Sequence, residues 1–530
     1  PQFATHNAYT VACVLELAGG RRDFEFQRLH GMGEPLYEAL AQETGAPVPC
    51  RVYAPVGSHD QLLPYLVRRL LENGANTSFV HKLLDPDTPP EQLVEDPVAR
   101  LQAVDCMPHP RIVLPRDLYQ PDRLNAHGLD LSDPLQREPL LAALAELDGQ
   151  RWQAPAIIGG EARGAVEQPV LAPRDLTEQV GLAAEVDDTL VDQALAVAAG
   201  AAAAWAARPV QERADILLAA ADRIEADRAA LVSLCVREGG RCIPDALDEV
   251  REAVDYCRYY AARAREQFPA RPLPGPTGED NRLSLHGRGP FACISPWNFP
   301  IAIFTGQVVA ALVAGNSVIA KPARQTPLTA ARLVGLLHQA GVPGEVLNLL
   351  PGSGARIGAR LLADPRLAGV VFTGSTDTAW TLQDGLARRR GPILPFIAET
   401  GGQNALIVDS SALPEQVVAD VLTSAFNSAG QRCSALRVLF VQDDIADTVQ
   451  DMLAGALDEL RVGDPMRLDT DVGPVIDPAA RDALQAHADA LEREGRLIAR
   501  AALPGAAGQG VWFAPQVFAL DDLRRLGCEV

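Results

Sequence analysis

The run Glu399-Thr400-Gly401-Gly402-Gln403-Asn404 is followed, thirty-four residues after its glutamate, by Gly430-Gln431-Arg432-Cys433. A carboxylate and a thiol are thereby set among glycine-rich turns. Thiols attack as thiolates, and a neighbouring base is one way to form them. Three more runs precede these two: Ser295-Pro296-Trp297-Asn298-Phe299-Pro300, Lys321-Pro322-Ala323 and Phe372-Thr373-Gly374-Ser375. The elements around them alternate. Strands are predicted at Phe291–Ser295, Ser317–Lys321, Val346–Leu350 and Val370–Thr373, with helices between them such as Thr326–Ala340, ended by Gly341-Val342-Pro343. That order predicts a doubly wound dinucleotide-binding sheet, which takes its ligand at the carboxyl ends of its strands. Ile294, Ser295, Pro296, Trp297, Gly374 and Ser375 follow strand ends, and Gly354 and Gly358 lie in a glycine-spaced turn after a third strand.

Beyond Leu394 a second α/β unit is expected, with strands Ala405–Val408 and Arg437–Val441. Ahead of the sheet, Asp188–Phe268 reads as a helical block, and its alanine-rich stretch Ala194–Ala207 as a close-packed helix. Residues 1–80 alternate in the same βα manner: a helix at Thr10–Leu17, a strand at Arg51–Pro55, a helix at Tyr65–Leu71 and a strand at Thr77–Val80. Such alternation suits a parallel sheet or a (β/α)₈ barrel. From 81 to 150 prolines punctuate the chain, which reads as a linker holding one helix, Pro139–Leu147.

The 530 residues leave room for two or three domains, and 48% hydrophobic with 22% charged residues is ordinary globular composition. A net charge of −21 opposes a general electrostatic grip on nucleic acid or anionic membrane. Nine scattered cysteines without CxxC spacing point away from a disulfide framework or zinc site, and no His/Asp/Cys cluster has metal-ligand spacing. No signal peptide and no 18-residue apolar span are read, so the cytoplasm is the expected location.

Five motifs in this order closely resemble the aldehyde dehydrogenase superfamily over roughly Arg151 to Val530. The resemblance implies that Cys433 is the nucleophile, that Asn298 and the Cys433 backbone N–H hold the developing oxyanion, and that Glu399 is the base for water. The glutamate's context reads as apolar. NAD is the implied cofactor, with Lys321 at the adenosine ribose and Glu529 at the nicotinamide ribose. One residue departs from the pattern: the family commonly reads Lys-Pro-Ala-Glu, and here the fourth residue is Arg324. A guanidinium does not bind ribose hydroxyls as a carboxylate does and could attract a 2′-phosphate. Ser434 resembles the serine that helps hold the substrate carboxylate in glutamate semialdehyde (pyrroline-5-carboxylate) dehydrogenases.

Phe3-Ala4-Thr5-His6-Asn7, Glu25 to Gly33 and Leu66 to Asn76 resemble the closing strands of a flavin-dependent proline dehydrogenase barrel. Ahead of a semialdehyde dehydrogenase, they resemble the bifunctional proline utilization A family. By that resemblance Thr5, His6, Gln27 and Glu72 contact FAD, while Arg68 and Arg69 clamp the proline carboxylate and Tyr53 and Leu29 pack on its ring. It also implies a homo-oligomer, a membrane quinone as acceptor for the flavin's electrons, and peripheral membrane association of the longer protein. The implied domains are 1–80, the end of the barrel; 81–150, a linker; 151–395, the NAD-binding domain; and 396–530, a catalytic domain cut short. The chain opens without Met and stops where the family continues Phe-Gly-Pro, so an internal piece of a longer polypeptide is expected. The rival readings are an aldehyde dehydrogenase of other specificity, a non-catalytic scaffold that kept the fold, and a DNA-binding regulator, for which this acidic segment offers no support.

Overall fold

Alternating apolar strands and amphipathic helices have to bury both faces of a parallel sheet, and the chain does so in two compact units, Pro1–Val113 and Leu114–Val530. The structure, a computed structural model, describes residues 1–74, 82, 85–104, 112–503 and 509–526. The strand expected at Thr77–Val80 lies outside them.

In the first unit β1 (Gln2–Ala4), β2 (Glu25–Leu29) and β3 (Cys50–Tyr53) form a parallel three-stranded sheet. They alternate with α1 (Ala8–Ala18), α2 (Glu34–Thr44) and α3 (His59–Gly74). Phe26 is fully buried, edge-on to Phe24 at 5.6 Å and tilted against Tyr37 at 5.7 Å. The Asn7 side chain caps α1 by accepting from the Tyr9 and Thr10 amides. Helix α3 starts six residues before the expected Tyr65. Pro64 reads like a helix start but sits inside α3, where it forgoes one backbone hydrogen bond.

The second unit takes in much of what reads as linker. Helix α4 (Pro134–Glu146) buries Leu140 and Leu144 in the main core, because its apolar face meets the helical block. That block comprises α5 (Asp188–Ala207), α6 (Val210–Ala226), α7 (Arg228–Gly239) and α8 (Ile243–Gln267). By length and composition α5 could cross a membrane, against the expectation that no such span exists. Val191, Ala194, Leu195 and Ala198 form a buried stripe along it, the spacing of a core helix.

Seven strands build the central sheet. Its five parallel members are β4 (Pro290–Ile294), β5 (Ser317–Lys321), β6 (Leu347–Leu349), β7 (Gly369–Thr373) and β8 (Phe396–Glu399). Their spatial order is β8-β7-β4-β5-β6, and two antiparallel strands, Ala156–Ile158 and Glu161–Arg163, extend the β6 side. Every residue of β4, β5 and β6 is buried, as strands covered on both faces require. The expected boundary at 395 moves: β8, with Glu399 at its end, is the edge strand of this sheet and not the first strand of the next domain. That domain has its own core, Val408, Val417, Val421, Leu436, Val449, Leu453 and Leu457, under the parallel pair β9 (Asn404–Val408) and β10 (Leu436–Val441).

Two buried glutamates cap helices from a distance. Glu238 accepts from the Leu328 amide at 2.7 Å, the Thr329 amide at 2.9 Å and the Thr329 hydroxyl at 2.6 Å. These are the first turn of α9 (Pro327–Gln339), which follows β5. Burial pushes the Glu238 carboxyl from 4.5 up to about 7, with the three hydrogen bonds opposing. The folded chain therefore holds the extra proton between those values, and stability falls as pH rises through that window. Glu238→Gln should remove this slope. Between about pH 5 and pH 8 the parent's thermal stability should drop relative to the variant's by roughly 3 kcal/mol, at about 1.4 kcal/mol per unit. Parallel pH profiles of the two melting curves would show that Glu238 does not titrate there.

Candidate functional site

The parallel register carries the carboxyl ends of adjacent strands to one edge. Ile294 pairs with Lys321 on one side and Phe372 on the other, and Thr373 pairs with Glu399. Between β4 and β7 the strand order reverses, and a cleft of about 970 Å³ opens there. Ile294, Ser295, Pro296, Trp297, Lys321, Gly354, Gly358, Gly374 and Ser375 all line it, together with Arg324. Glu529 lies outside the described residues. Lys321 is 6% exposed, and burial pulls its ammonium down to about 8 while Glu185 pulls it back. A Cβ on Gly354 would come within 3.1 Å of Lys321 Nζ, so glycine there keeps room for the ammonium. Gly354 opens one helix (Gly354–Ala363), and Ser375 caps another (Thr376–Ala387) by accepting from the Thr378 amide. The Ser295 hydroxyl is buried at the cleft without a hydrogen-bond partner. Unpaired amides at helix starts, a buried ammonium and an orphaned hydroxyl suit the phosphates and ribose hydroxyls of a dinucleotide. Among the described residues of the lining there is no carboxylate.

The thiol stands on a strained loop. Ser428, Ala429 and Gly430 have φ of 57°, 56° and 71°, and a Cβ on Gly430 would sit 2.8 Å from the Ala425 carbonyl oxygen. Side chains hold the strain. Ser428 Oγ donates to Asp245 at 2.8 Å, Gln431 Oε1 accepts from the Ile476 amide at 2.8 Å, and Arg432 donates to the Thr423 and Ser424 carbonyls at 2.6 and 2.8 Å. The Cys433 carbonyl accepts from Asn404 Nδ2 at 2.7 Å. Cys433 and Ser434 are exposed. Asn298 Nδ2 donates to the Gln431 carbonyl at 3.1 Å, which ties the turn after β4 to the cysteine loop and leaves its second N–H available. Glu399 is exposed as well, in contrast to the apolar context read from its neighbours. Being on the edge strand removes one flank of cover, and its backbone carbonyl accepts from the Gly374 amide of the cleft wall at 3.1 Å. His286 is exposed and His338 lies half-buried on α9. No three His, Cys, Asp or Glu side chains among the described residues could hold a metal ion together.

Sequence reasoning missed Asp245, Glu249 and Arg241. Glu249 is buried in the middle of α8 and accepts from the Ile301 and Ala302 amides at 2.9 and 3.3 Å. Its signal was there: it stands in the apolar stripe that Ala246, Val250 and Ala253 mark out.

In the first unit Thr5 and His6 follow β1, Gln27 and Leu29 lie on β2, and Tyr53 ends β3. His6 Nε2 accepts from the Leu29 amide at 3.1 Å, and burial, with Arg28 and Arg69 nearby, holds the imidazole below its ordinary 6.5. It is thus neutral at pH 7, with the proton assigned to Nδ1 from this hydrogen bond. The Thr5 carbonyl accepts from the Tyr37 hydroxyl at 2.8 Å. Arg69 lies over the Tyr65 ring at 5.3 Å, and Tyr65 meets Tyr53 at 6.2 Å. Arg68 is exposed, because adjacent helical positions point about 100° apart. The Glu72 side chain lies outside what the structure describes.

Residues 161–529 match the aldehyde dehydrogenase family and residues 1–82 match proline dehydrogenase. The bifunctional protein PutA of Escherichia coli is 48% identical over 550 aligned residues, 100% of this chain and 41% of that protein. The chain therefore spans about two fifths of that relative's length. A 1-pyrroline-5-carboxylate dehydrogenase of Geobacillus kaustophilus is 35% identical over 74% of this chain and 77% of its own. Among solved structures, a proline utilization A (PutA) mutant from Bradyrhizobium japonicum superposes with a TM-score of 0.85 at 48% identity, over 100% of this chain and 50% of that one. A structure of a 1-pyrroline-5-carboxylate dehydrogenase does so with a TM-score of 0.71 at 32% identity, over 74% of this chain and 77% of that one. The chain belongs to the aldehyde dehydrogenase family, with proline dehydrogenase sequence joined ahead of it.

Proposed function

We propose that residues from Leu114 onward oxidise L-glutamate γ-semialdehyde, the open form of pyrroline-5-carboxylate, to glutamate, and that the first unit belongs to a flavin-dependent proline oxidase that supplies it. The observation that carries this reading is the Asn298 hydrogen bond to the Gln431 carbonyl, which joins the nucleotide cleft and the thiol loop into one site. Cys433, exposed to solvent, loses its thiol proton to water, and its Sγ adds to the aldehyde carbon, whose hydride must then leave to give a thioester. The free N–H of Asn298 and the Cys433 amide donate to the oxygen that becomes negative, where one such donor is worth about 2.7–4 kcal/mol. Bound at the cleft, NAD supplies the hydride acceptor; Lys321, Ser295 and the start of the Gly354 helix hold its ribose and phosphates. Glu399 takes the proton of the water that attacks the thioester carbonyl, the C–S bond breaks to release glutamate and the Cys433 thiolate, and the exposed carboxyl passes its proton on to solvent. Ser434, beside the thiol, donates to the substrate's carboxylate. The 1-pyrroline-5-carboxylate dehydrogenases among the relatives support this substrate class over other aldehydes. In the first unit, FAD is held by Thr5, His6, Gln27 and Glu72, proline's carboxylate by Arg68 and Arg69, and its ring by Tyr53 and Leu29.

With glutamate semialdehyde and NAD, Glu399→Gln should release NADH in a single-turnover burst and then stall, since the water step follows oxidation. Cys433→Ala should lose the burst too, falling below roughly a thousandth of the parent rate. An unchanged steady state in Glu399→Gln would discard this glutamate as the base. A parent that prefers acetaldehyde or succinate semialdehyde would discard the substrate.

Lys321 gives a second test. Its ammonium is charged below about pH 8 and neutral above. NAD affinity of the parent should therefore fall as pH rises through 8, and Lys321→Met should bind about ten- to a hundredfold more weakly at low pH, with no step there. That matches about 1.5–3 kcal/mol for a charge-assisted hydrogen bond. Equal titrations by calorimetry would remove Lys321 from the nucleotide site.

A further inference from the structure

The turn Ser295-Pro296-Trp297-Asn298-Phe299-Pro300 has two prolines and no regular hydrogen bonding of its own, yet it must aim an amide at the cysteine loop. Its ends are fixed by backbone: the Ser295 amide donates to the Lys321 carbonyl at 3.1 Å, and the Ile301 and Ala302 amides donate to Glu249. Its middle is held by Arg241. One Nη of that guanidinium donates to the Asn298 carbonyl, and its plane covers the Phe299 ring at 4.5 Å. Arg241 in turn lies 2.8 Å, Nε to Oε1, from Glu249. Nε has no hydrogen-bond partner, so opposite charge and not a directed hydrogen bond holds this contact. Both side chains are more than nine-tenths buried, Arg241 at 6% and Glu249 at 1% exposure. The Cys235 thiol donates to the same carboxylate at 3.4 Å.

Burying an ion pair is seldom the cheapest way to stability, since an apolar pair of the same volume often does as well. A nearby Ser or Asp could cap the helix that begins at Ala302, as Ser375 caps its own. Neither simpler device would touch the Asn298 carbonyl. We infer that Arg241 and Glu249 are positioning residues that act on the reaction through Asn298, by holding its turn at the height from which Nδ2 reaches both the cysteine loop and the substrate oxygen. One turn earlier on α8, Asp245 holds Ser428 of that loop. A single helix face therefore sets both sides of the gap between amide and thiol.

This inference rests on the proposed aldehyde oxidation, and a double-mutant cycle in the full chain separates the two. In the parent, Asn298→Ala should lower kcat about 10²–10³-fold, the size of losing one oxyanion donor. Arg241→Lys keeps the charge but not the fork, and should lower kcat at least about tenfold with KM and NAD affinity within about twofold. Added to Arg241→Lys, Asn298→Ala should cost at least about tenfold less than it does alone, because the amide is already misplaced. Losses that multiply to within about twofold would show that Arg241 acts elsewhere and would overturn the inference. Glu249→Gln, of equal volume, repeats the cycle if the lysine variant does not fold. If the parent forms no NADH from any aldehyde, the proposed function fails, and the inference is then judged by amide hydrogen exchange. Faster exchange confined to residues 297–303 and 428–434 in either variant supports it, and exchange equal to the parent's overturns it.

Discussion

All five parallel strands of the central sheet end at the same edge, and everything reactive in the second unit hangs from that fact. A strand running the other way would deliver its side chains to the far side, where neither the nucleotide cleft nor the thiol loop could use them. The register makes the consequence concrete: Ile294, Lys321, Thr373 and Glu399 stand at neighbouring strand ends. With strands about 4.8 Å apart, Glu399 at the sheet edge lies roughly 10 Å from the β4 end that leads into Asn298. That span is filled from both sides, by the dinucleotide cleft and by the loop of the next domain.

Helices that follow such strands begin at the same edge, and their free N–H groups need partners. The chain answers this in two ways. Helices that open onto the cleft leave their first amides to a ligand or to a short local cap, as at Gly354 and Ser375. Helices that start inside the protein take a buried glutamate from a distant helix, Glu238 for α9 and Glu249 for the helix at Ala302. The difference divides binding surface from framework. A chain of net charge −21 thus has no carboxylate among the described residues of its cleft lining, while two carboxylates serve as internal caps.

Much of this could be read from the residues. Of the seven strands of the central sheet, β4, β5, β6 and β7 come within about a residue of their expected limits, because parallel strands buried on both faces are continuous apolar runs bounded by turns, while the edge strand β8 and the two antiparallel strands are not foreseen. Nine of the ten expected nucleotide residues line one cleft, since glycines and strand ends mark such a site locally. Three things could not be read. Glu399 was placed in the wrong domain, because a strand's sheet is decided by its neighbours and not by its sequence. Proline punctuation makes 81–150 read as a linker holding a helix at Pro139–Leu147; the helix is there as α4, but that it belongs to the main core shows only where its apolar face meets α7. Arg241, Glu249 and Asp245 meet partners 52 to 183 positions away, so that although the apolar stripe marks Glu249 as buried, nothing local names the groups that these charges hold.

The cysteine loop shows why such long-range partners matter. Of three successive left-handed residues Gly430 takes the conformation freely, but Ser428 and Ala429 each store of the order of 1–3 kcal/mol. Asp245 and Gln431 anchor the loop to α8 and to the segment at Ile476, Arg432 reaches out of it to the Thr423 and Ser424 carbonyls, and Arg437 and Asn404 donate to the loop's own Gly430 and Cys433 carbonyls. Gln431 and Arg432 of the motif are therefore spent on backbone, and only Cys433 and Ser434 face outward. A motif that looks like chemistry throughout is two parts scaffold to one part nucleophile. Asn298 reads the same way, with one amide hydrogen given to the Gln431 carbonyl of the loop and the other left available. What fixes the loop that carries the thiol also fixes Asn298, so strain in the loop and position of the turn are one constraint seen from two sides.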